Sequence, residues 1–486
     1  MEGLRLAALD VGLLVVGESI LAGLGLVRDT RAGLRYLGLS LVLGWAATGV
    51  CASLAVEAGL ELTVAAVVVL WALLVGASFV VGLKVSGRLS PLLGERSWTG
   101  RAVVLASGGL LVAVLVALFR RVDASGPLHP DAWGFWLPKA KVIFETGGLD
   151  TGLGGFTSFA HPEYPPLLPS SEAVSFLFMG HADVLLLPVQ HWVLFVGFLG
   201  AAYGLLAGRV RPAVLLPSLA AVAMLPTLDR LVGSSLGDEP LAQLFSLAGI
   251  AAALWLLEQD WRLAAVSGIL LVALPMTKNE GLMLGVALVL MLAAATRLRA
   301  WRTLVPLIGV TLLAVVPWRV WHAVNDVRDQ SDYRFGDVVH FGRLADRIDR
   351  LGIALRDLPG YVLDPGRWLL AVPLVLVLAV LLSRRRTGLA AVSAGTVLIA
   401  FAGYLAIYWI GLPEIHFYLD TSGERVAAPL AVFCAVLFPL LATEAYALPS
   451  EEPSRPVLPK TSSNSTTRPR RSAWPGSWRA SRRARP

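Results

Sequence analysis

Long apolar segments recur along this chain and restrict the folds that it can adopt. About thirteen can be delimited, several of them short, and about twenty apolar residues are enough for a helix to cross a bilayer. The segments are rich in Leu, Val and Ala and lack the alternation of barrel strands, so we expect helices. Only 15% of the residues are charged, against about 25% in soluble domains, which excludes a cytosolic enzyme and a disordered chain. The expected spans are 4–27, 34–56, 62–83, 101–119, 184–207, 212–228, 240–257, 262–276, 281–296, 303–323, 368–383, 388–411 and 426–448.

Basic residues fall between alternate spans, which predicts the end of each helix that faces the cytoplasm. Cytoplasmic loops of membrane proteins carry an excess of Lys and Arg. With thirteen spans the basic clusters share one side, so we expect an extracytoplasmic N-terminus and a cytoplasmic C-terminus in the inner (plasma) membrane. Segment 324–367 carries several arginines on the other side, but long loops follow the rule weakly. The clusters are Arg28/Arg31/Arg35, Lys84/Arg88/Arg96/Arg101, Arg209/Arg211, Arg262, Arg297/Arg299/Arg302, Arg384/Arg385/Arg386 and the C-terminal tail.

Two long polar segments, 120–183 and 324–367, form the expected outer loops. The first is rich in Trp, Pro, His and Asp, and loops of such length are usually functional or disordered. Pro138 suits the first turn of a helix whose apolar face is 142–144, and both Trp133 and Trp136 suit a membrane interface. We therefore expect an amphipathic helix that lies on the outer leaflet.

The C-terminal segment 449–486 has a different composition from the rest of the chain. It is rich in Pro, Ser, Thr and Arg and has almost no aliphatic residues, so we expect a disordered basic cytoplasmic tail. Much of the net charge of +7 comes from this tail. The charge therefore reflects membrane topology, and we expect no nucleic-acid partner.

Charged and aromatic residues recur in the first outer loop. Asp131 comes just before the expected amphipathic helix, and its alternative role is that of a helix cap. His161, Glu163 and Tyr164 lie among closely spaced prolines, which favour an extended path. This path presents their side chains at the entrance of the next helix, and the alternative is a stiff loop that packs on the bundle.

The later outer turns carry further charges. Asp238 and Glu239 come at the start of a helix, where capping is the alternative role for Asp238. Lys278 and Glu280 lie in a short turn between two apolar runs, where charges are costly unless they are paired or line a cavity. Arg425 is suited to bind phosphate, with a pair to the preceding glutamate or snorkelling to the membrane interface as the alternatives. Together, these groups on one face suit an enzyme that uses a lipid phosphate substrate.

These motifs resemble those of the GT-C superfamily of membrane glycosyltransferases, especially the bacterial branch similar to protein mannosyltransferases and aminoarabinose transferases. The resemblance covers roughly residues 100–445. It implies a catalytic core over 101–448 that is preceded by three additional transmembrane helices in 1–100. The runs that carry it are Asp131-Ala-Trp-Gly-Phe-Trp136-Leu-Pro-Lys139-Ala-Lys141, His161-Pro-Glu-Tyr-Pro-Pro-Leu167, Gly237-Asp238-Glu-Pro-Leu241, Lys278-Asn-Glu280-Gly and Ser422-Gly-Glu-Arg425.

The resemblance implies an inverting enzyme that passes a sugar from a polyprenyl-phosphate carrier to a glycan, lipid or protein acceptor on the outer face. Asp131 matches the general base, Asp238 a second acidic position that orients the acceptor or binds a cation, and Lys278 and Arg425 the phosphate contacts. A divalent cation is possible, with Asp131 and Asp238 as its candidate ligands. The other expected substrate-binding residues are His161, Glu163, Tyr164, Glu239 and Glu280.

Two other classes of protein remain open on the sequence. A transporter or flippase of lipid-linked sugars would place its functional residues at mid-membrane, with Asp10 and Glu18 facing a central cavity. A polytopic scaffold would bind partners through the 324–367 loop, and Asp131 and Asp238 would then be dispensable.

Overall fold

The structure, a computed structural model, describes residues 2–82, 94–95, 97–126, 129–328, 330–333 and 340–447. These residues are helical and contain no β-strand. Short turns connect most of the helices, and two π-helical turns, Ala132–Trp136 and Ala391–Gly395, precede α5 and α19. The helices are α1 Glu2–Gly23, α2 Thr30–Glu57, α3 Val64–Gly82, α4 Trp98–Ser125, α5 Leu137–Thr146, α6 Leu167–Met179, α7 Leu187–Leu206, α8 Pro212–Ala223, α9 Pro226–Leu231, α10 Asp238–Glu258, α11 Trp261–Thr277, α12 Asn279–Ala295, α13 Trp301–Val324, α14 Phe341–Ala345, α15 Ile348–Val362, α16 Pro365–Trp368, α17 Ala371–Leu382, α18 Thr387–Ala390, α19 Thr396–Ile410 and α20 Ile415–Tyr446.

Within the described ranges, nine helical segments are long and apolar enough to cross a membrane. They are α1, α2, α3, α4, α7, α10, α13, the continuous segment Thr387–Ile410 and α20. Five shorter apolar helices accompany them, namely α6, α8, α11, α12 and α17. The sequence predicted helices in place of strands, and this is confirmed.

Polar side chains begin several of the long helices. The Asp29 carboxylate accepts a hydrogen bond from the Ala32 amide at the start of α2, and Ser97 accepts from the Gly100 amide at the start of α4. Asp260 caps α11 in the same way. Each cap satisfies one of the amide groups that a helix N-terminus leaves without an intrahelical partner.

Small residues allow the first helices to cross closely. A Cβ atom on Gly17 of α1 would lie 1.7 Å from the Ser40 carbonyl oxygen of α2, and one on Gly44 would lie 1.8 Å from the Leu13 carbonyl oxygen. Gly38 of α2 makes a similar approach to the backbone of α7 near Gly200. Backbone contact of this kind is typical of helix pairs in membranes.

The bundle has a buried interior and an apolar exterior. Nearly all of α10 and most of α20 are buried, whereas α3, α4 and α13 expose most of their apolar side chains. Exposed apolar residues on these three helices include Phe79, Leu105 and Leu313. An apolar surface of this extent is a liability in water but suits contact with lipid. The fold and composition together define a helical membrane protein.

Both predicted outer loops contain more regular structure than the sequence suggested. Helix α6 lies inside 120–183 and is buried, and its Glu172 side chain lies against His191 of α7. Segment 324–367 contains α15, whose Ala354, Leu358 and Val362 pack against α19 and α20. The predicted tail 449–486 lies outside the described residues.

Candidate functional site

A chain of ion pairs joins five side chains that are far apart in sequence. Arg425 Nη1 lies 2.6 Å from Asp131 Oδ2 and 3.8 Å from Asp238 Oδ2. Lys278 Nζ lies 2.8 Å from Asp238 Oδ1 and 3.7 Å from Glu280 Oε1. The result is a continuous alternation of acidic and basic groups, which we call the ion-pair chain.

Helix starts and a helix break place four of these five residues, and Arg425 lies within α20. Asp238 occupies the first turn of α10, and Glu280 the first turn of α12, after Lys278 in the break that separates α11 from α12. Arg425 projects from α20, and Asp131 precedes the π-helical turn before α5. Three of the five side chains are closely buried, but Asp131 keeps 34% of its side-chain surface exposed, so the chain of pairs is open at that end.

Aromatic rings pack beside the ion-pair chain. The His161 ring stacks on Tyr164 at 4.8 Å between centroids, and Tyr164 stacks in turn on Trp136 at 5.5 Å. Lys278 Nζ lies 5.9 Å from the centroid of the Tyr164 ring, so the aromatic stack meets the ion-pair chain at Lys278. A stack of this kind offers a flat apolar face next to charged groups.

His161 and Glu163 are held by contacts on both sides. His161 Nδ1 lies 3.2 Å from Glu163 Oε1, and the Glu163 Oε2 atom accepts from the Gln330 amide at 3.3 Å. The Glu163 carbonyl oxygen also accepts from Trp318 Nε1 of α13 at 3.2 Å. The proline-rich stretch is therefore tied both to α13 and to the segment that follows it.

Lys139 is a fully buried cation at the edge of this region. Its ammonium donates a hydrogen bond to the His161 carbonyl oxygen and lies 5.4 Å and 5.2 Å from the ring centroids of Phe135 and Phe156. Burial lowers the pKa of Lys139 to about 7, and the nearby Glu163 carboxylate offsets part of this shift. The contact fixes the backbone at His161, which has a positive φ of 52°.

Two further groups near the chain of pairs have shifted acidities. Burial, together with Arg425, lowers the pKa of His129, whose Nδ1 lies 4.0 Å from Asp131 Oδ2. Burial raises the pKa of Asp332. His129 thus favours its neutral form beside Asp131, where it accepts a hydrogen bond from the Asp131 amide at 3.1 Å.

Three alternative roles from the sequence are wrong. Asp131 makes no side-chain cap hydrogen bond, because its carboxylate turns to Arg425. Asp238 is the first residue of α10 and bonds to Lys278, so Gly237 and not Asp238 takes the cap position. Glu424 does not pair with Arg425, because successive residues of a helix point about 100° apart, and it pairs with Arg230 instead.

Glu239 is the one expected site residue whose carboxylate points elsewhere. Its Oε2 atom lies 3.3 Å from His191 Nδ1, and His191 Nε2 lies 3.2 Å from Glu172 Oε1. All three side chains are buried. We call Glu172, His191 and Glu239 the buried triad.

Several residues of this region were missed by the sequence reasoning. Lys139 and His129 lay in or next to the motif that drew attention to Asp131, so proximity was the available signal. Trp136 was predicted to lie at the membrane interface, and this is wrong, because its side chain is buried and stacks on Tyr164. His191 lies inside the expected span 184–207, whereas Glu172 lies in the expected outer loop 120–183. The position of His191 within a span was a usable signal, because intramembrane ionisable residues are rarely without a role.

The acidic residues that a metal site or a transporter would use all have partners within the protein. Asp131 and Asp238 both contact Arg425, so a cationic side chain already neutralises the two candidate metal ligands. Asp10 accepts a hydrogen bond from Gln190 Nε2 at 2.6 Å, and Glu18 accepts one from Ser40 Oγ at 2.9 Å. The two acids that a transporter would place in one cavity therefore have separate partners on different helices.

Fold and site together define the class of this molecule, a helical membrane protein in which a chain of ion pairs joins residues of separate helices. Comparison with protein-family models, characterised proteins and solved structures yields no match.

Proposed function

We propose that this protein is an inverting glycosyltransferase of the GT-C type, which moves a sugar from a polyprenyl-phosphate donor to an acceptor on the extracytoplasmic face of the inner (plasma) membrane. Asp131 is the general base, and Arg425 and Lys278 bind the phosphate of the donor. The acceptor is a glycan, a lipid or a protein. A divalent cation remains compatible with this role.

The ion-pair chain is the observation that carries the proposal. Arg425 and Lys278 flank Asp238 and offer a guanidinium and an ammonium within one short span. The Arg425 Nε atom is buried and has no hydrogen-bond partner among the described residues. A buried donor without a partner is costly, and a phosphate oxygen is the kind of group that guanidinium binds best.

The open end of the chain suits acid–base chemistry. A donor phosphate that contacts Arg425 competes with Asp131 for the guanidinium, which frees the Asp131 carboxylate. Asp131 then accepts the proton of the acceptor hydroxyl as that oxygen bonds to the anomeric carbon. The bond from this carbon to the phosphate breaks, and the electron pair leaves with polyprenyl phosphate, which the two cations stabilise. Displacement from the opposite face inverts the anomeric carbon.

An apolar cavity next to the ion-pair chain suits a lipid donor. It has a volume of about 190 Å³, lies between α11, α12 and α13, and begins at Gly281, directly after Glu280. Its lining is apolar apart from Thr311. A prenyl chain that leaves a phosphate on Lys278 would find an apolar path here.

The membrane topology of the proposal keeps thirteen spans, which adds α8, α11, α12 and α17 to the nine long helical segments. Two arginine contacts support the sidedness, because they gather helix ends at one end of the bundle. Arg262 donates to the Gly25 carbonyl oxygen at 3.1 Å, and Arg209 Nη2 donates to Glu258 Oε2 at 2.7 Å. In this topology the N-terminus is outside, and α5 lies on the outer leaflet.

Replacement of the proposed base tests the function. Purified Asp131→Asn protein in lipid vesicles is assayed for sugar transfer from a panel of polyprenyl-phosphate sugars. We expect wild-type protein to transfer one of them and the variant to lose at least about a hundredfold in rate. Asp123→Asn is the matched control, because Asp123 is an exposed aspartate outside the ion-pair chain.

Either of two results would contradict the proposal. Retained transfer in Asp131→Asn protein would remove Asp131 as the base. Movement of intact lipid-linked sugar across the vesicle membrane, without transfer to an acceptor, would instead favour the flippase alternative.

A further inference from the structure

The buried triad joins three helices through one imidazole ring. Glu172 lies on α6, His191 on α7 and Glu239 on α10. Both ring nitrogens of His191 lie within 3.3 Å of a carboxylate oxygen, on opposite sides of the ring. The three side chains are buried, so none of these contacts is shared with bulk water.

The two ring nitrogens of His191 make different contacts. Nε2 lies within hydrogen-bonding distance of Glu172 Oε1, at 3.2 Å. Nδ1 lies 3.3 Å from Glu239 Oε2 but makes no hydrogen bond among the described residues. Two carboxyl groups buried beside one imidazole ring are expensive, which argues for a role beyond packing.

The triad holds the turn that leads into Asp238. Glu239 Oε2 also accepts a hydrogen bond from the Gly233 amide at 3.2 Å, and Ser235 lies beside Glu172. Ser235 has a positive φ of 53°, which is unfavourable for a residue with a side chain and persists only where the surroundings enforce it. Glu239 contributes to that restraint through its hydrogen bond with the Gly233 amide.

Asp238 depends on this turn for its position. It begins α10 directly after the turn and directly before Glu239, and its own carboxylate bridges Lys278 and Arg425. The Gln243 amide group donates to Glu239 Oε1 at 2.9 Å and fixes the carboxylate from the next turn of α10. A shift of Glu239 would therefore move Asp238 relative to its two cationic partners.

From these contacts we infer that the buried triad is a positioning device, in which His191 and the two glutamates hold Asp238 and so align Lys278 and Arg425 for the donor phosphate. The alignment of a phosphate rests on the proposed function, whereas the mechanical link from His191 to Asp238 does not.

The first experiment measures that link without any assay of activity. Full-length protein labelled with ¹⁵N-histidine contains seven histidines, and His191→Gln protein assigns the side-chain signals of His191. We expect Glu239→Gln and Asp238→Asn each to shift the His191 signals, and the control Asp123→Asn to leave them in place. Unchanged His191 signals in Glu239→Gln and Asp238→Asn protein would overturn the inference.

The second experiment tests the effect on the reaction. We expect His191→Gln and Glu172→Gln proteins that keep the wild-type thermal midpoint to lose roughly ten- to hundredfold in kcat, with little change in the KM for the donor. A purely structural triad would lower the amount of folded protein and leave kcat unchanged, which would overturn the positioning role. If wild-type protein transfers no sugar, the proposed function fails, and the NMR signals still decide the link from His191 to Asp238.

Discussion

Asp238 and Glu239 are consecutive residues of α10, yet they belong to two clusters with different physical properties. Asp238 lies in the ion-pair chain, where it is balanced by Lys278 and Arg425 and where Asp131 leaves one end open. Glu239 lies in the buried triad, which is closed on all sides. The open cluster can exchange an internal partner for a ligand, whereas the closed cluster can only hold its own geometry. This difference predicts that the ion-pair chain governs chemistry and the triad governs the alignment and stability of the bundle.

The largest loss of stability is expected from His191→Leu. It leaves two buried carboxyl groups without the ring that lies between them, and the removal of one partner from a buried ion pair costs about 3–5 kcal/mol. The free energy of unfolding in detergent, from denaturant titration, measures this cost. The control is His181→Leu, because His181 is half exposed and its loss should cost less than about 1 kcal/mol. Equal losses in the two variants would show that the triad has no special role in stability.

Arg425→Met is expected to lower the rate of sugar transfer strongly but the stability less than His191→Leu does. Its cost in stability should be about 2–3 kcal/mol, less than that of His191→Leu, because the exposed part of Asp131 can be hydrated. Its cost in transfer rate should be at least about a hundredfold, because a donor to the developing phosphate charge is lost. Unfolding titrations and the vesicle transfer assay measure the two quantities. A variant that transfers sugar normally would place the chemistry outside the ion-pair chain.

Lys139 extends the comparison to a buried cation that makes no ion pair of its own within 4 Å among the described residues. Its pKa falls from 10.5 to about 7 because of burial, so above pH 7 the folded protein releases a proton that the unfolded chain keeps up to pH 10.5. Stability from this group therefore increases as the pH rises through that window and is lost as the pH falls towards 7. We expect wild-type protein to gain about 2 kcal/mol between pH 7 and pH 9 relative to Lys139→Met.

Thermal unfolding of wild-type and Lys139→Met protein between pH 7 and pH 9 tests whether the stability rises with pH. Lys141→Met is the matched control, since Lys141 is exposed and pairs with Glu145 at 3.6 Å. A Lys139→Met profile parallel to that of the wild type would show that Lys139 keeps its proton throughout.

The helical fold was predictable because apolar runs of sufficient length allow few other structures. The count of spans was less certain, because α8, α11, α12 and α17 are short apolar helices and length alone does not decide whether they cross a membrane. Helix α6 was assigned to the first outer loop, because it is too short to cross a bilayer and Ser170, Ser171 and Glu172 interrupt its apolar pattern. Helix α15 was missed for a related reason, because its charged residues made 324–367 resemble a loop.

Side-chain partners were the least predictable part of the site. The sequence predicted that Asp131, Asp238, Lys278 and Arg425 face outward together, and the structure joins them in one chain of contacts. The order of the contacts depends on how α10, α11 and α20 meet, which no local pattern specifies. Glu239 shows why side-chain partners are hard to predict. It follows Asp238 directly, but successive residues of a helix point in different directions, so Glu239 joins the buried triad and not the ion-pair chain.

The smallest expected effect concerns Arg230, which pairs with Glu424 next to Arg425 in sequence. The Arg230 side chain is 59% exposed, so the pair gains little from burial and is screened by salt. Arg230→Met should cost less than about 1 kcal/mol in unfolding free energy and leave sugar transfer unchanged. Arg230 pairs with Glu424 of α20, and Arg425 is the next residue of the same helix. Only Arg425 lies in the ion-pair chain. If Arg230→Met lowered transfer as much as Arg425→Met, the relevant property would be the total positive charge near α20 and not the geometry of the ion-pair chain.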